Sequence, residues 1–224
     1  MDFDLFLLIC NYIGTIAFSV SGVVKGFKKN LDIFGITLLG VITAVGGGIV
    51  RDTMIGHIPA ALTDPSSIYL SIIVGIIMYL IVINKKQETT LTSQMYRFLT
   101  ITNLIFDSIG LAIFSLIGAS AGVGLNLNFM TTGILATLTG VGGGILRDLL
   151  VNETPIVLKE DVYALLALGA GISYHILVLD LKFPRIPVYI GLFTIFLLIR
   201  LLIIKYKINL PNMQIKEAKK TNVH

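Results

Sequence analysis

Gly46-Gly47-Gly48-Ile49-Val50-Arg51-Asp52 and Gly142-Gly143-Gly144-Ile145-Leu146-Arg147-Asp148 are one heptapeptide written twice, identical at six of seven positions. The copies lie 96 residues apart, and holding that offset without a gap aligns much more of the chain. Gly14 meets Gly110, Phe18-Ser19 meets Phe114-Ser115, and Gly22 meets Gly118. Asn30-Leu31 meets Asn126-Leu127, Thr43 meets Thr139, Pro59 meets Pro155, and Gly75 meets Gly171. Matches at one constant offset over so long a stretch indicate an internal repeat.

What solvent the repeat folds in follows from composition. Hydrophobic residues make up 55% of the 224 positions and charged residues 13%, with a mean hydropathy of +0.89. A soluble domain carries roughly 25% charge, so too little polar surface exists here to coat a water-soluble globule. A membrane span needs about 20 apolar residues. Spans are expected at Phe3 to Val24, Ile33 to Val50, Ile68 to Ile83, Phe98 to Gly118, Phe129 to Leu146, Val162 to Leu179 and Ile186 to Ile204. The expectation is therefore an all-α membrane protein of seven transmembrane helices. Residues 1–88 form a first three-helix repeat and residues 97–181 a second. A seventh helix at 186–205 and a polar basic tail at 206–224 follow.

Three spans per copy is an odd number, so the second copy enters the membrane from the opposite side. The halves are then inverted repeats, an arrangement common in transporters and channels with the permeation path at the repeat interface. Cytoplasmic loops carry the excess of Lys and Arg. One side holds Lys25, Lys28, Lys29, Lys85, Lys86, Arg97, Lys159 and the bases of the tail, whereas the other holds Lys182 and Arg185. This places the protein in the cell membrane as a multi-pass chain, C-terminus cytoplasmic and N-terminus outside. The first apolar run is too long for a cleaved leader. The modest charge of +4 is spread between spans, as topology determinants and not as a nucleic-acid patch.

Three consecutive glycines inside an apolar helix cost about 1 kcal/mol each against alanine. Two returns are open. Gly46, Gly47, Gly48, Gly142, Gly143 and Gly144 could bend their helices and turn backbone carbonyls toward a hydrated path, or could let two helices pack closely. The repeated hydroxyls Ser19, Ser115, Thr43 and Thr139 could line that path or bond back to their own helices. Intramembrane charges are functional candidates by default. Arg51, Asp52, Arg147 and Asp148 are candidates for gating charges or structural pairs. The geometry of adjacent helical positions suggests pairing across the interface, Arg51 with Asp148 and Arg147 with Asp52. The alternative is that they reach out of the helix ends to the membrane surface. Asp107 lies mid-span opposite Asn11 in the repeat. His175 reads as a buried, hydrogen-bonded histidine. Cys10 is the one cysteine, which excludes an internal disulfide and a cysteine-based metal site. No phosphate loop or dinucleotide fingerprint occurs, and neither an enzyme activity, a metal nor a cofactor is expected.

At these residues the chain resembles the prokaryotic branch of the trimeric intracellular cation (TRIC) channels. The resemblance is carried by Ser21-Gly22, Leu31-Asp32-Ile33-Phe34-Gly35, Thr43-Ala44-Val45 with the first motif, and Thr139-Gly140-Val141 with the second. Val151-Asn152-Glu153-Thr154-Pro155 and Tyr163-Ala164-Leu165 extend it. It implies a homotrimer in the lipid bilayer with one pore per subunit, passing potassium and also sodium, and lined by second and fifth helices bent at the glycine triplets. The Lys-Glu-Val signature through which animal members bind a phosphoinositide is not evident. Prokaryotic relatives are also described as small-amino-acid carriers. The alternative reading is accordingly a secondary transporter of a small solute such as glycine.

Overall fold

The structure, a computed structural model, describes residues 2–85, 93–159 and 161–206, and among them it is helical throughout with no strand. The helices are α1 (Phe3–Lys28), α2 (Ile33–Met54), the short α3 (Ala60–Thr63), α4 (Ser66–Lys85), α5 (Ser93–Gly124), α6 (Phe129–Leu150), α7 (Asp161–His175) and α8 (Arg185–Tyr206). A 3-10 turn at Ile156–Leu158 precedes α7, and a π-helical turn at Ile176–Asp180 ends it. Lys86 and the bases beyond Tyr206, which contribute to the charge asymmetry, lie outside the described residues.

Among the described residues six helices are long and apolar enough to cross a membrane. The third expected span coincides with the shorter apolar stretch Ser66–Val82 of α4. The lipid-facing side is legible in the exposure pattern. Leu5, Ile9, Ile13 and Ile16 form an exposed apolar stripe on α1, and Tyr69, Ile73, Ile76, Ile77 and Leu80 form another on α4. In water this would be a liability; in lipid it is the solvated face.

Local signals at the helix ends recur at the 96-residue offset. Asp32 caps α2 by accepting from the Gly35 amide at 2.7 Å, and Asn128 caps α6 by accepting from the Thr131 amide at 2.9 Å. Each side-chain oxygen satisfies an amide the helix leaves unpaired. Before each cap the chain turns through a left-handed asparagine, Asn30 at φ 54° and Asn126 at φ 53°. The next amide reaches back to a helix carbonyl, Leu31 to Gly26 at 3.1 Å and Leu127 to Gly122 at 3.0 Å. These are helix-terminating Schellman geometries.

The main core joins α1, α5, α6, α7 and α8 around Phe6, Leu116, Ala136, Ala170, Tyr174 and Tyr189. Phe18 and Phe114, equivalent under the offset, pack ring on ring at 5.2 Å in a smaller cluster. Small residues admit close neighbours at matching places. A Cβ on Gly22 would press on Thr43 Oγ1 at 2.6 Å, and one on Gly118 on Thr139 Oγ1 at 2.5 Å.

Candidate functional site: a glycine crossing between two charged ends

α2 and α6 cross at their midpoints, antiparallel, with the two glycine triplets in the contact. A Cβ added to Gly47 would collide with the Thr139 carbonyl oxygen, and one added to Gly143 with the Thr43 carbonyl oxygen. A Cβ on Gly142 would sit 3.0 Å from Gly47 Cα. Both helices run as unbroken α-helix through their triplets. Backbone against backbone is what the glycines permit at this crossing. Gly48 and Gly144 face away from the contact, toward Arg51 and toward Tyr163 and Arg147.

The four hydroxyl residues are buried around this crossing. Thr43 Oγ1 donates to the Leu39 carbonyl at 2.6 Å and Thr139 Oγ1 to the Leu135 carbonyl at 2.7 Å. Both are bonds back to their own helix. Ser19 Oγ donates to the Ser71 carbonyl at 3.1 Å, whereas Ser115 Oγ has no hydrogen-bond partner among the described residues.

The charges sit beyond the crossing, at opposite ends. Arg51 pairs with its neighbour Asp52, both Nε and Nη2 lying 2.8 Å from Oδ1. Arg147 pairs with its neighbour Asp148, Nε lying 3.0 Å from Oδ1. The expected pairing across the interface is thus corrected. The helices are antiparallel, so the two Arg-Asp ends lie about 20 Å apart along the axis at ~1.5 Å per residue. Each aspartate instead uses its second oxygen to start the next segment. Asp52 Oδ2 accepts from the Ala60 amide at 2.8 Å, and Asp148 Oδ2 from the Ile156 amide at 3.1 Å.

From here the two ends diverge. At the Arg51 end a cavity of about 180 Å³ enters between the helices, lined by Asn11, Thr15, Gly48, Arg51, Asp52, Asp64, Ser66 and Ser67 among others. A second cavity of about 430 Å³ shares Arg51 and Asp52 and includes Asp4, His57, Ser120 and Arg185 in its wall. Asn11 Nδ2 donates to Ser67 Oγ at 3.0 Å.

At the other end the equivalent space is filled by side chains. Asp107 stands where Asn11 stands, and Tyr163 where Ser67 stands. Tyr163 OH donates to Asp107 Oδ2 at 2.9 Å. Arg147 Nη1 donates to Asp107 Oδ1 at 2.6 Å and to Ser21 Oγ at 2.5 Å, and Ser21 Oγ donates in turn to Asn103 Oδ1 at 2.9 Å. Arg147 is fully buried at 0% exposure and Asp107 at 1%. Lys25 Nζ lies 3.2 Å from Asp148 Oδ1 and 2.7 Å from Glu153 Oε2, and Lys29 Nζ lies 2.8 Å from Glu153 Oε1. The two lysines hold the Glu153 carboxyl far below its ordinary value of 4.5, at about 2.

The repeat pointed to Arg147, Asp148 and Asp107, but Ser21, Lys25, Asn103, Glu153 and Tyr163 were not singled out as site residues. A signal existed for three of them. Asn103 precedes Asp107 by four, and Lys25 follows Ser21 by four, which places each pair on one helix face. Tyr163 and Glu153 have no such neighbour; both lie in the motifs that carry the family resemblance, and the fold brings them to the site.

A family model described as Glycine transporter matches residues 8–84 and 104–178, two stretches that begin 96 residues apart. The inner membrane protein YadS of Escherichia coli K12 is 31% identical over 206 residues, covering 92% of this chain and 95% of its own. A membrane protein of Deinococcus radiodurans is 36% identical over 71% of each chain. A prokaryotic TRIC channel crystallised in 0.5 M KCl superposes at a TM-score of 0.81 with 36% identity, over 92% of this chain and 99% of that one. The chain belongs to the prokaryotic TRIC family. The same fold recurs in the TRIC orthologue from Rhodobacter sphaeroides, at TM-score 0.78 and 26% identity over 91% of this chain. Membership, together with the six long apolar helices, makes this TRIC protein a multi-pass membrane protein.

Proposed function

We propose that this protein is a passive cation channel, potassium-permeable, working as a homotrimer with one pathway inside each subunit. The pathway runs from the cavity at Arg51, past the crossing of α2 and α6, to the charged end at Arg147. Its two halves are the inverted three-helix repeats, with α4 as the third of seven spans. The N-terminal, Arg51 end faces outside and the Lys25 and Arg147 end faces the cytoplasm.

The observation that carries the reading is the inequality of the two ends. A cavity with a mixed lining reaches Asn11 and Ser67, and the equivalent depth on the far side is occupied by Arg147, Asp107 and Tyr163. On the channel reading, a path open at one end and filled by hydrogen-bonded side chains at the other is the shut state. Thr43, Thr139, Ser19 and Ser115 surround the narrowest part with the glycine triplets. The arginines, which alone would repel a cation, each lie against an aspartate. Structural relatives over nearly the whole chain are TRIC cation channels. Among the described residues nothing resembles a selectivity filter of stacked carbonyl rings, so discrimination among monovalent cations is expected to be weak.

Purified protein in planar bilayers tests this. Discrete unitary currents in potassium chloride, reversing near the cation equilibrium potential, are the expected result. Their absence, with saturable proton-linked uptake of glycine into proteoliposomes, would establish the carrier reading and overturn the channel.

A further inference from the structure

Arg200 is an arginine in the inner half of α8, a helix that otherwise turns Leu198, Ile199 and Leu202 toward lipid. It is 2% exposed. An arginine within a span is expensive and faces the protein interior for a reason. Its guanidinium carbon lies 4.7 Å from the centroid of the Tyr163 ring. That tyrosine is the one whose hydroxyl holds Asp107 at 2.9 Å, and Asp107 holds Arg147 at 2.6 Å. A cation on the face of a phenol fixes the ring plane and makes its hydroxyl a stronger donor. The arrangement belongs to one end of the molecule only. The counterpart of Tyr163 under the 96-residue offset is Ser67, which offers no ring to stack on, and α8 has no counterpart in the first half.

We infer that Arg200 is a positioning residue for the pathway: by stacking on Tyr163 it holds the Tyr163–Asp107–Arg147 seal shut, so that α8 governs how often the pathway opens. The inference rests on the channel reading above. It assigns α8 a role that neither repeat supplies, because movement of α8 against α5 and α7 draws the guanidinium off the ring without touching the pathway's own helices.

Single-channel recording of the full-length protein, with trimer content checked by gel filtration, tests it. Arg200→Gln is expected to raise open probability about thirtyfold, the weight of one desolvated cation–π contact, with unitary conductance unchanged. Arg200→Lys, which keeps a cation over the ring, should restore part of the closure. Arg200→Gln should have no further effect once Tyr163→Leu has removed the ring, or once Tyr163→Phe has removed the hydroxyl that links the ring to Asp107. An Arg200→Gln effect of equal size with and without the Tyr163 ring overturns the inference, as does a change confined to unitary conductance. If Arg200→Gln yields no trimer, Arg200→Met, which also removes the cation from the ring, carries the test, and wild-type open probability in that variant counts against the proposal. Absence of unitary current from the wild-type protein is a different failure: it removes the channel reading itself and this inference with it.

Discussion

At the scale of single residues, the glycine triplets are not three equivalent glycines. Gly47 and Gly143 each face a carbonyl oxygen of the opposite helix, a backbone group that cannot yield. Gly48 and Gly144 meet at nearest the Arg51 guanidinium at 3.9 Å and the Tyr163 hydroxyl at 3.5 Å, ordinary contact distances. Alanine at Gly47 or Gly143 should therefore cost at least the ~1–3 kcal/mol of an overpacked core. Alanine at Gly48 or Gly144 should be neutral or stabilise by up to about 1 kcal/mol through helix propensity. Thermal unfolding of the four single variants in detergent checks the order. A uniform loss across all four would mean that Gly48 and Gly144 are as confined as Gly47 and Gly143, and no loss at Gly47 and Gly143 would mean that the crossing is less tight than the structure shows. Composition alone could not rank them, because the ranking depends on which carbonyl of the partner helix lies opposite each glycine. The pairing of Arg51 with Asp52 escaped the sequence for a related reason. Adjacent helical side chains diverge by about 100° at 3.6 residues per turn, and long arginines can nevertheless curl back once the aspartate is turned toward the next segment's amide.

At the scale of elements, most of the helix boundaries were readable. Asp32 and Asn128 announce the starts of α2 and α6, and the asparagines Asn30 and Asn126 mark the turns before them. What was not readable is how the end of α1 meets the segment after α6. Lys25 and Lys29, expected only as topology charges, both grip Glu153. A linkage to pH follows. The Glu153 carboxyl falls from 4.5 to about 2 in the folded protein, so its contribution is complete above pH 4.5 and drains away as the pH falls toward 2. Glu153→Gln should lower thermal stability at neutral pH. It should also flatten the acid limb of the profile, so that variant and wild type converge near pH 2. Parallel profiles across that range would show that the lysines leave Glu153 unaffected.

At the scale of the whole molecule, the 96-residue offset reached further than any motif. It matched the two glycine triplets, the paired hydroxyls and the two Arg-Asp ends as equivalent positions, but it did not give the distance between those ends, which the expected pairing of Arg51 with Asp148 misjudged. It could not anticipate that the two ends would differ, because the difference resides in substitutions that look minor in a chain: Asn11 against Asp107, Ser67 against Tyr163. The inferred orientation is checked with reporters fused after the last residue. A C-terminal green fluorescent protein should fluoresce and a C-terminal alkaline phosphatase should stay inactive, since the first folds in the cytoplasm and the second outside it. The opposite pattern would turn the molecule over, and would put the Arg147 seal on the external side.

The glycine crossing has a mechanical meaning as well. Two rods riveted at their midpoints can scissor but cannot slide, and any change of angle at the rivet is felt equally at all four tips. The tips of α2 and α6 carry Arg51 at one membrane face and Arg147 at the other. In the proposed channel the mouth and the seal are thus geared together, and a change of packing at one end of these helices reaches the other.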